Sequence, residues 1–176
     1  MKKIFLLTIV CLLASCTSLF RERIVEKSRL TGYDYRLFQE TPAWELAKAV
    51  QDKDVRKINE IVSRNPEIIN CQEPKYGQTL LMMTVVNQQM VPFKALLVNN
   101  ADVNIHDTYS GASAIIEACG SSWYNIKFLK LLVLYGADVN DVSAGERKKG
   151  VGARKTPLIN ASKSGNLLPF IATGIL

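Results

Sequence analysis

Histidine is almost missing from this chain: one residue, His106, in 176. With no second imidazole, no Cys–His spacing and no Gly-rich phosphate loop, the sequence offers no nucleophile–base pair. Its carboxylates are scattered, and no His/Cys/Asp/Glu cluster has ligand spacing, so neither metal nor other cofactor is expected. An enzyme is not expected. His106 itself is read as a loop-tip residue ahead of Asp107. Acidic excess is lacking too: 22 Lys and Arg stand against 16 Asp and Glu, a net +6. That mild balance suits an anionic surface and is not the footprint of a nucleic-acid binder. Long hydrophobic runs are missing beyond the first residues. Ile4–Leu13, interrupted by Thr8 and Cys11, is too short to span a bilayer as a mature helix.

What is present is repetition. Lys94-Ala-Leu-Leu-Val-Asn-Asn-Ala-Asp-Val-Asn104 aligns without a gap on Lys130-Leu-Leu-Val-Leu-Tyr-Gly-Ala-Asp-Val-Asn140, 36 positions later. Such a period means stacked supersecondary units rather than one closed core. Each unit carries an apolar run ending in a residue suited to positive φ: Asn65, Asn100 and Gly136. Upstream lies a shorter helix centred on a small residue, Ala49, Thr84, Ala118 or Ala161. Pro92 and Pro169 each follow eight positions after the small residue, at an early helix position where a missing N–H does no harm. The spacings place a two-residue insertion at Ser121–Asn125 and a seven-residue insertion in Val142–Lys155, both between elements. Trp123 and Tyr124 in the first insertion are expected to cover a helix turn.

These residues resemble the ankyrin repeat. Thr156-Pro157-Leu158-Ile159-Asn160-Ala161 is similar to the family's Thr-Pro-Leu-His-x-Ala opening, and Gly136-Ala137-Asp138-Val139-Asn140 to its Gly-Ala-Asp-x-Asn close. Met82, Ile116 and Ile159 stand where the family has His, and only the last unit has the full Thr-Pro-Leu. The resemblance covers about residues 42–176 as three and a half to four units. It implies an all-α solenoid of stacked helix-turn-helix units with loop or hairpin fingers, and protein binding through finger tips and inner helix faces. On that basis the residue before each small central one, Lys48, Met83, Glu117 and Asn160, is expected on the binding face. Lys75, Tyr76, Asp107 and Tyr109 are expected at the tips, with the tyrosines as anchors. At the chain's end Thr173 and Gly174 fall where Leu96 and Leu97 stand, so the last unit reads as incomplete, either a poor terminal cap or a truncated frame.

The N-terminus carries its own signals. Met1-Lys2-Lys3 is a short basic region ahead of the apolar run, and Leu13-Ala14-Ser15-Cys16 resembles the bacterial lipobox. The resemblance implies a signal peptide over residues 1–15, with Cys16 lipidated as the new N-terminus. Loss of Lys2 and Lys3 would leave a net charge of about +4. Thr17, where Asp would resemble an inner-membrane retention signal, favours the outer membrane facing the periplasm. Residues 16–41 are read as the lipidated Cys and a tether, reaching roughly 80 Å if extended at about 3.3 Å per residue. Within it, the aromatics of Tyr33–Phe38 are expected to cap the first repeat. Cys71 and Cys119 fall in separate layers, too far apart for a disulfide, with Cys119 buried.

Arg147, Lys148, Lys149, Arg154 and Lys155 cluster on the Gly-punctuated second insertion, where five cations could meet phosphate-bearing lipid or an acidic partner, or simply be solvated. Three functions follow: a monomeric, lipid-anchored envelope protein that binds an unidentified protein; an immunity protein neutralising a periplasm-targeted toxin; or an envelope-structural lipoprotein whose basic loop touches lipid.

Overall fold

Short apolar helices that no single layer could bury set the architecture. The computed structural model describes residues 24–120, 126–143 and 155–163. Among them are seven α-helices: α1 (Trp44–Gln51), α2 (Val55–Arg64), α3 (Leu80–Val86), α4 (Met90–Val98), α5 (Ala114–Gly120), α6 (Ile126–Leu134) and α7 (Pro157–Lys163). They pair as α1 with α2, α3 with α4 and α5 with α6. Inner helices α1, α3, α5 and α7 stack in one layer, and outer helices α2 and α4 in the next. The expected all-α solenoid is what forms. No helix among the described residues is long and apolar enough to cross a membrane.

Pattern and burial agree helix by helix. In α2 the polar residues face water while Ile58 and Val62, one turn apart, are buried. By contrast α3 is apolar all round, and Leu80 through Val85 are all buried because α1, α4 and α5 surround it. Ala49, Thr84, Ala118 and Ala161 are buried at the centres of the inner helices. Pro92 sits third in α4, as the missing N–H requires. Outer layers lock through Phe93 of α4 and Phe128 of α6, their ring centroids 4.7 Å apart in an edge contact.

Left-handed residues end the outer helices α4 and α6. Asn100 has φ 63° and Gly136 φ 90°. In both, the next N–H reaches back five residues: Ala101 to the Leu96 carbonyl and Ala137 to that of Leu132. Asn65 departs from the expectation with φ −145°. Pro66 follows it, and the proline ring drives its predecessor into extended backbone. Inner-to-outer turns use the same left-handed device at residues no pattern marked: Lys53 (φ 59°) and Gln88 (φ 55°).

The N-terminal segment is not an extended tether over its described part. Asp34 caps a 3₁₀ turn at Tyr35–Phe38 through the Arg36 N–H, and Tyr35, Leu37 and Phe38 are buried against α1. The folded unit therefore begins upstream of residue 42, because these side chains close the apolar end of the first repeat as the aromatics predicted. Residues 1–23, 121–125, 144–154 and 164–176 lie outside the described residues, and with them Cys16, Trp123, Tyr124, Arg147, Lys148, Lys149, Arg154, Pro169, Thr173 and Gly174.

Both described cysteines are free, Cys71 half-buried and Cys119 buried in α5. Burial pushes the Cys119 thiol up to about 12, leaving essentially no thiolate at neutral pH. A maleimide at pH 7 is expected to label Cys71 and spare Cys119 until denaturant is added. Equal labelling rates in the native protein would contradict the buried placement of α5.

Candidate functional site

Between helix pairs the chain forms fingers. Gln72 bridges Thr79 and His106 bridges Ser113 in antiparallel fashion, 34 residues apart. The same rung recurs three times: Glu73 N–H to the Gln78 carbonyl (3.0 Å), Asp107 N–H to that of Ala112 (2.9 Å), and Ser143 N–H to that of Lys155 (2.9 Å). Four residues separate the paired positions in each of the first two fingers, whereas residues 144–154 separate Ser143 from Lys155, so the seven-residue insertion falls between those two paired residues. Its neck is closed twice, since Ser143 Oγ also accepts the Lys155 N–H at 2.9 Å.

A buried carboxylate shapes each short tip. Glu73 accepts the N–H groups of Lys75 (2.7 Å), Tyr76 (2.8 Å) and Gln78 (3.1 Å). Asp107 accepts those of Tyr109 (2.8 Å), Gly111 (3.2 Å) and Ser110, and the Ser110 hydroxyl. Asp107, expected as a contact at the tip, is instead buried and consumed by the turn. Glu73, its counterpart, escaped the sequence reading. The available signal was an acid three residues after Asn70, as Asp107 follows Asn104.

Fingers dock tightly on one another. The Tyr76 carbonyl accepts the N–H groups of Thr108 (2.9 Å) and Tyr109 (3.1 Å). Gly77, at φ 72°, passes so close to Thr108 that a Cβ there would meet it at 2.5 Å. The Tyr76 and Tyr109 rings meet edge to face, centroids 5.4 Å apart, and Tyr109 remains 46% exposed. His106 stands at the finger base rather than its tip, its Nε2 2.9 Å from Asp141 Oδ1. The same carboxylate accepts the Ser113 hydroxyl, which ties the second finger to the next repeat.

The Ala-Asp-Val-Asn close is a stitch between units. Asp102 and Asp138 accept the N–H groups of Asn104 (2.9 Å) and Asn140 (2.8 Å) two residues on. Asn70 and Asn104 then reach forward to accept the N–H groups of Asp102 (2.9 Å) and Asp138 (3.1 Å) in the following unit.

A family model of ankyrin repeats matches residues 46–143 as three copies, more than half of the chain. The chain belongs to the ankyrin-repeat family. No curated protein matches its sequence. Ankyrin repeats are interaction modules, generally without catalysis, so fingers and inner helices are where a protein partner is sought.

On that ankyrin surface the inner-face residues divide. Met83 is fully buried and is corrected to a core residue, since α3 is enclosed on all sides. Lys48 is partly exposed, paired with Glu45 at 2.7 Å and lying over the Trp44 ring. Asn160 is half-buried and donates to the Ile116 carbonyl at 2.9 Å, stitching α7 to α5. Glu117 is half-buried, and burial raises its carboxyl above the usual range. Lys75 is half-buried beside the Tyr76 ring. Lys155 is half-buried at the third neck; it is the only one of the five loop cations inside the described residues. Among those residues no group of three or more His, Cys, Asp or Glu could hold a metal ion.

Proposed function

We propose that this chain is a non-catalytic ankyrin module that binds another protein at the bacterial cell envelope, held there by lipid on Cys16. The observation that carries the binding half is the docked finger pair, which leaves the Tyr109 ring exposed on a rigid base braced by Tyr76. A rigid aromatic standing on polar surroundings loses little conformational freedom on association, the property of an interface anchor. Support for anchoring is the Leu13-Ala-Ser-Cys16 pattern after a basic and apolar leader. Thr17 supports the outer membrane, with the repeats facing the periplasm. The chain is proposed to act as a monomer.

The basic third finger supports a second reading, contact with anionic lipid or polymer. Its support is the run of Arg147, Lys148, Lys149 and Arg154 in the sequence between Ser143 and Lys155, two residues that pair at the neck.

The test is capture from detergent-solubilised envelope with the lipidated protein, wild type against Tyr109→Ala. One stoichiometric protein, reduced at least tenfold by the substitution, is expected. Lipid co-purifying without protein, and lost when Arg147, Lys148 and Lys149 are neutralised, would replace this reading with the lipid-contact one.

A further inference from the structure

The N-terminal segment does more than cap the first repeat. Before the buried turn at Tyr35–Phe38, residues 28–33 run across the first finger and the inner helices in a lightly held strap. Lys75 Nζ donates to the carbonyls of Ser28 (2.9 Å) and Leu30 (2.7 Å), and the Tyr76 hydroxyl to that of Leu30 (3.2 Å). Gln78 Oε1 accepts the Tyr33 N–H at 2.9 Å, and Asn87 Nδ2 donates to the Tyr33 carbonyl at 3.0 Å. The half-buried Tyr33 ring packs against the core near Glu117 of α5. Lys75 and Tyr76 are thus engaged by the chain itself.

Two features set the strap apart from the cap. Its grip is mostly polar: Ser28, Arg29 and Thr31 are exposed and Leu30 and Tyr33, though packed against the core, only half-buried, while Tyr35, Leu37 and Phe38 are buried. Tyr33 also adopts φ 68°, a left-handed geometry that bulky side chains rarely hold, so leaving it relieves strain. Donors and acceptors aimed at main-chain groups recognise the path of a backbone rather than one sequence, here a path that turns at Gly32–Tyr33, and the core beside Tyr33 adds a seat for its ring.

We infer that the surface formed by Lys75, Tyr76, Gln78 and Asn87 is a binding site for a turned, tyrosine-bearing peptide segment of a partner, and that Ser28–Tyr33 fills it in cis. This deepens the protein-binding reading, on which it rests. The cis segment is tethered, so it competes at a high effective concentration, and a partner must displace it.

The test uses the full chain in detergent and a fluorescent synthetic peptide of the sequence Glu26–Tyr35. Tyr33→Pro opens the strap alone, because proline lacks the N–H given to Gln78 and cannot adopt positive φ. The peptide is expected to bind this variant at least tenfold more tightly than wild type. Equal affinity for both, or no binding to either, overturns the inference. Tyr33→Val, whose branched side chain does not tolerate positive φ, serves if the proline variant does not fold, with the same tenfold direction expected. Hydrogen exchange on the wild type adds an independent reading. The Tyr33 amide is expected to exchange at least a hundredfold faster than those of Leu37 and Gln39, and equal protection would make the strap a permanent part of the cap. Because no envelope partner enters these measurements, their failure leaves the capture experiment, and the broader reading, standing.

Discussion

Phe93→Ala is expected to lower unfolding free energy by about 3–5 kcal/mol, the range for deleting a fully enclosed aromatic. Phe93 is completely buried in α4 and its ring meets Phe128 of α6 at 4.7 Å. Alanine there removes both the apolar area and the aromatic contact between the second and third units, and relaxation of short helices cannot close the gap. In a solenoid each unit is held mainly by its neighbours, so losing one interface also threatens cooperativity. Urea unfolding followed by circular dichroism should show a lower midpoint, and a second transition if the third unit uncouples. A change below about 1 kcal/mol would mean the α4–α6 contact contributes little.

Glu73→Ala is expected to cost about 3 kcal/mol, from three backbone N–H groups left without their acceptor in a buried turn. Its cause is local, so the damage should be directional. The first finger loosens, and the Tyr76 carbonyl no longer lies where Thr108 and Tyr109 donate to it. Glu73→Gln, which keeps one acceptor oxygen, should fall between. Chemical denaturation gives the size, and amide exchange at Tyr76, Gln78, Thr108 and Tyr109 shows whether both fingers open together. Unchanged exchange at Thr108 would show that the second finger holds its shape without the first.

Much of the fold was readable because it is periodic. A 36-residue self-alignment, left-handed caps at Asn100 and Gly136, and Pro92 in the first turn of α4 are local signals with local causes. What escaped was decided by neighbours. Asn65 looks like a cap, but Pro66 dictates its backbone. Lys53 and Gln88 occupy left-handed turns with no residue type to announce them, held instead by hydrogen bonds back from Asp54 to Ala49 and from Gln89 to Thr84. Met83 falls at the position the resemblance assigns to the binding face, yet helices on every side enclose α3. Of the site, the tyrosine tips were legible as residue types. Asp107 was legible as a tip residue but not as the acid the turn consumes. Nothing in a periodic pattern reveals that Lys75 and Tyr76 meet a segment some forty or more residues upstream, because that contact lies outside the repeat.

The neck at Ser143 and Lys155 has a consequence for how such a protein diversifies. Two hydrogen bonds close that finger at its base, and the chain beyond them returns to the register that Thr156 needs to start α7. Length added beyond the neck costs only the slowly growing entropy of a longer loop. Mutation can therefore lengthen, recharge or exchange that tip almost without thermodynamic penalty, while each short tip, wrapped around Glu73 or Asp107, admits no such freedom.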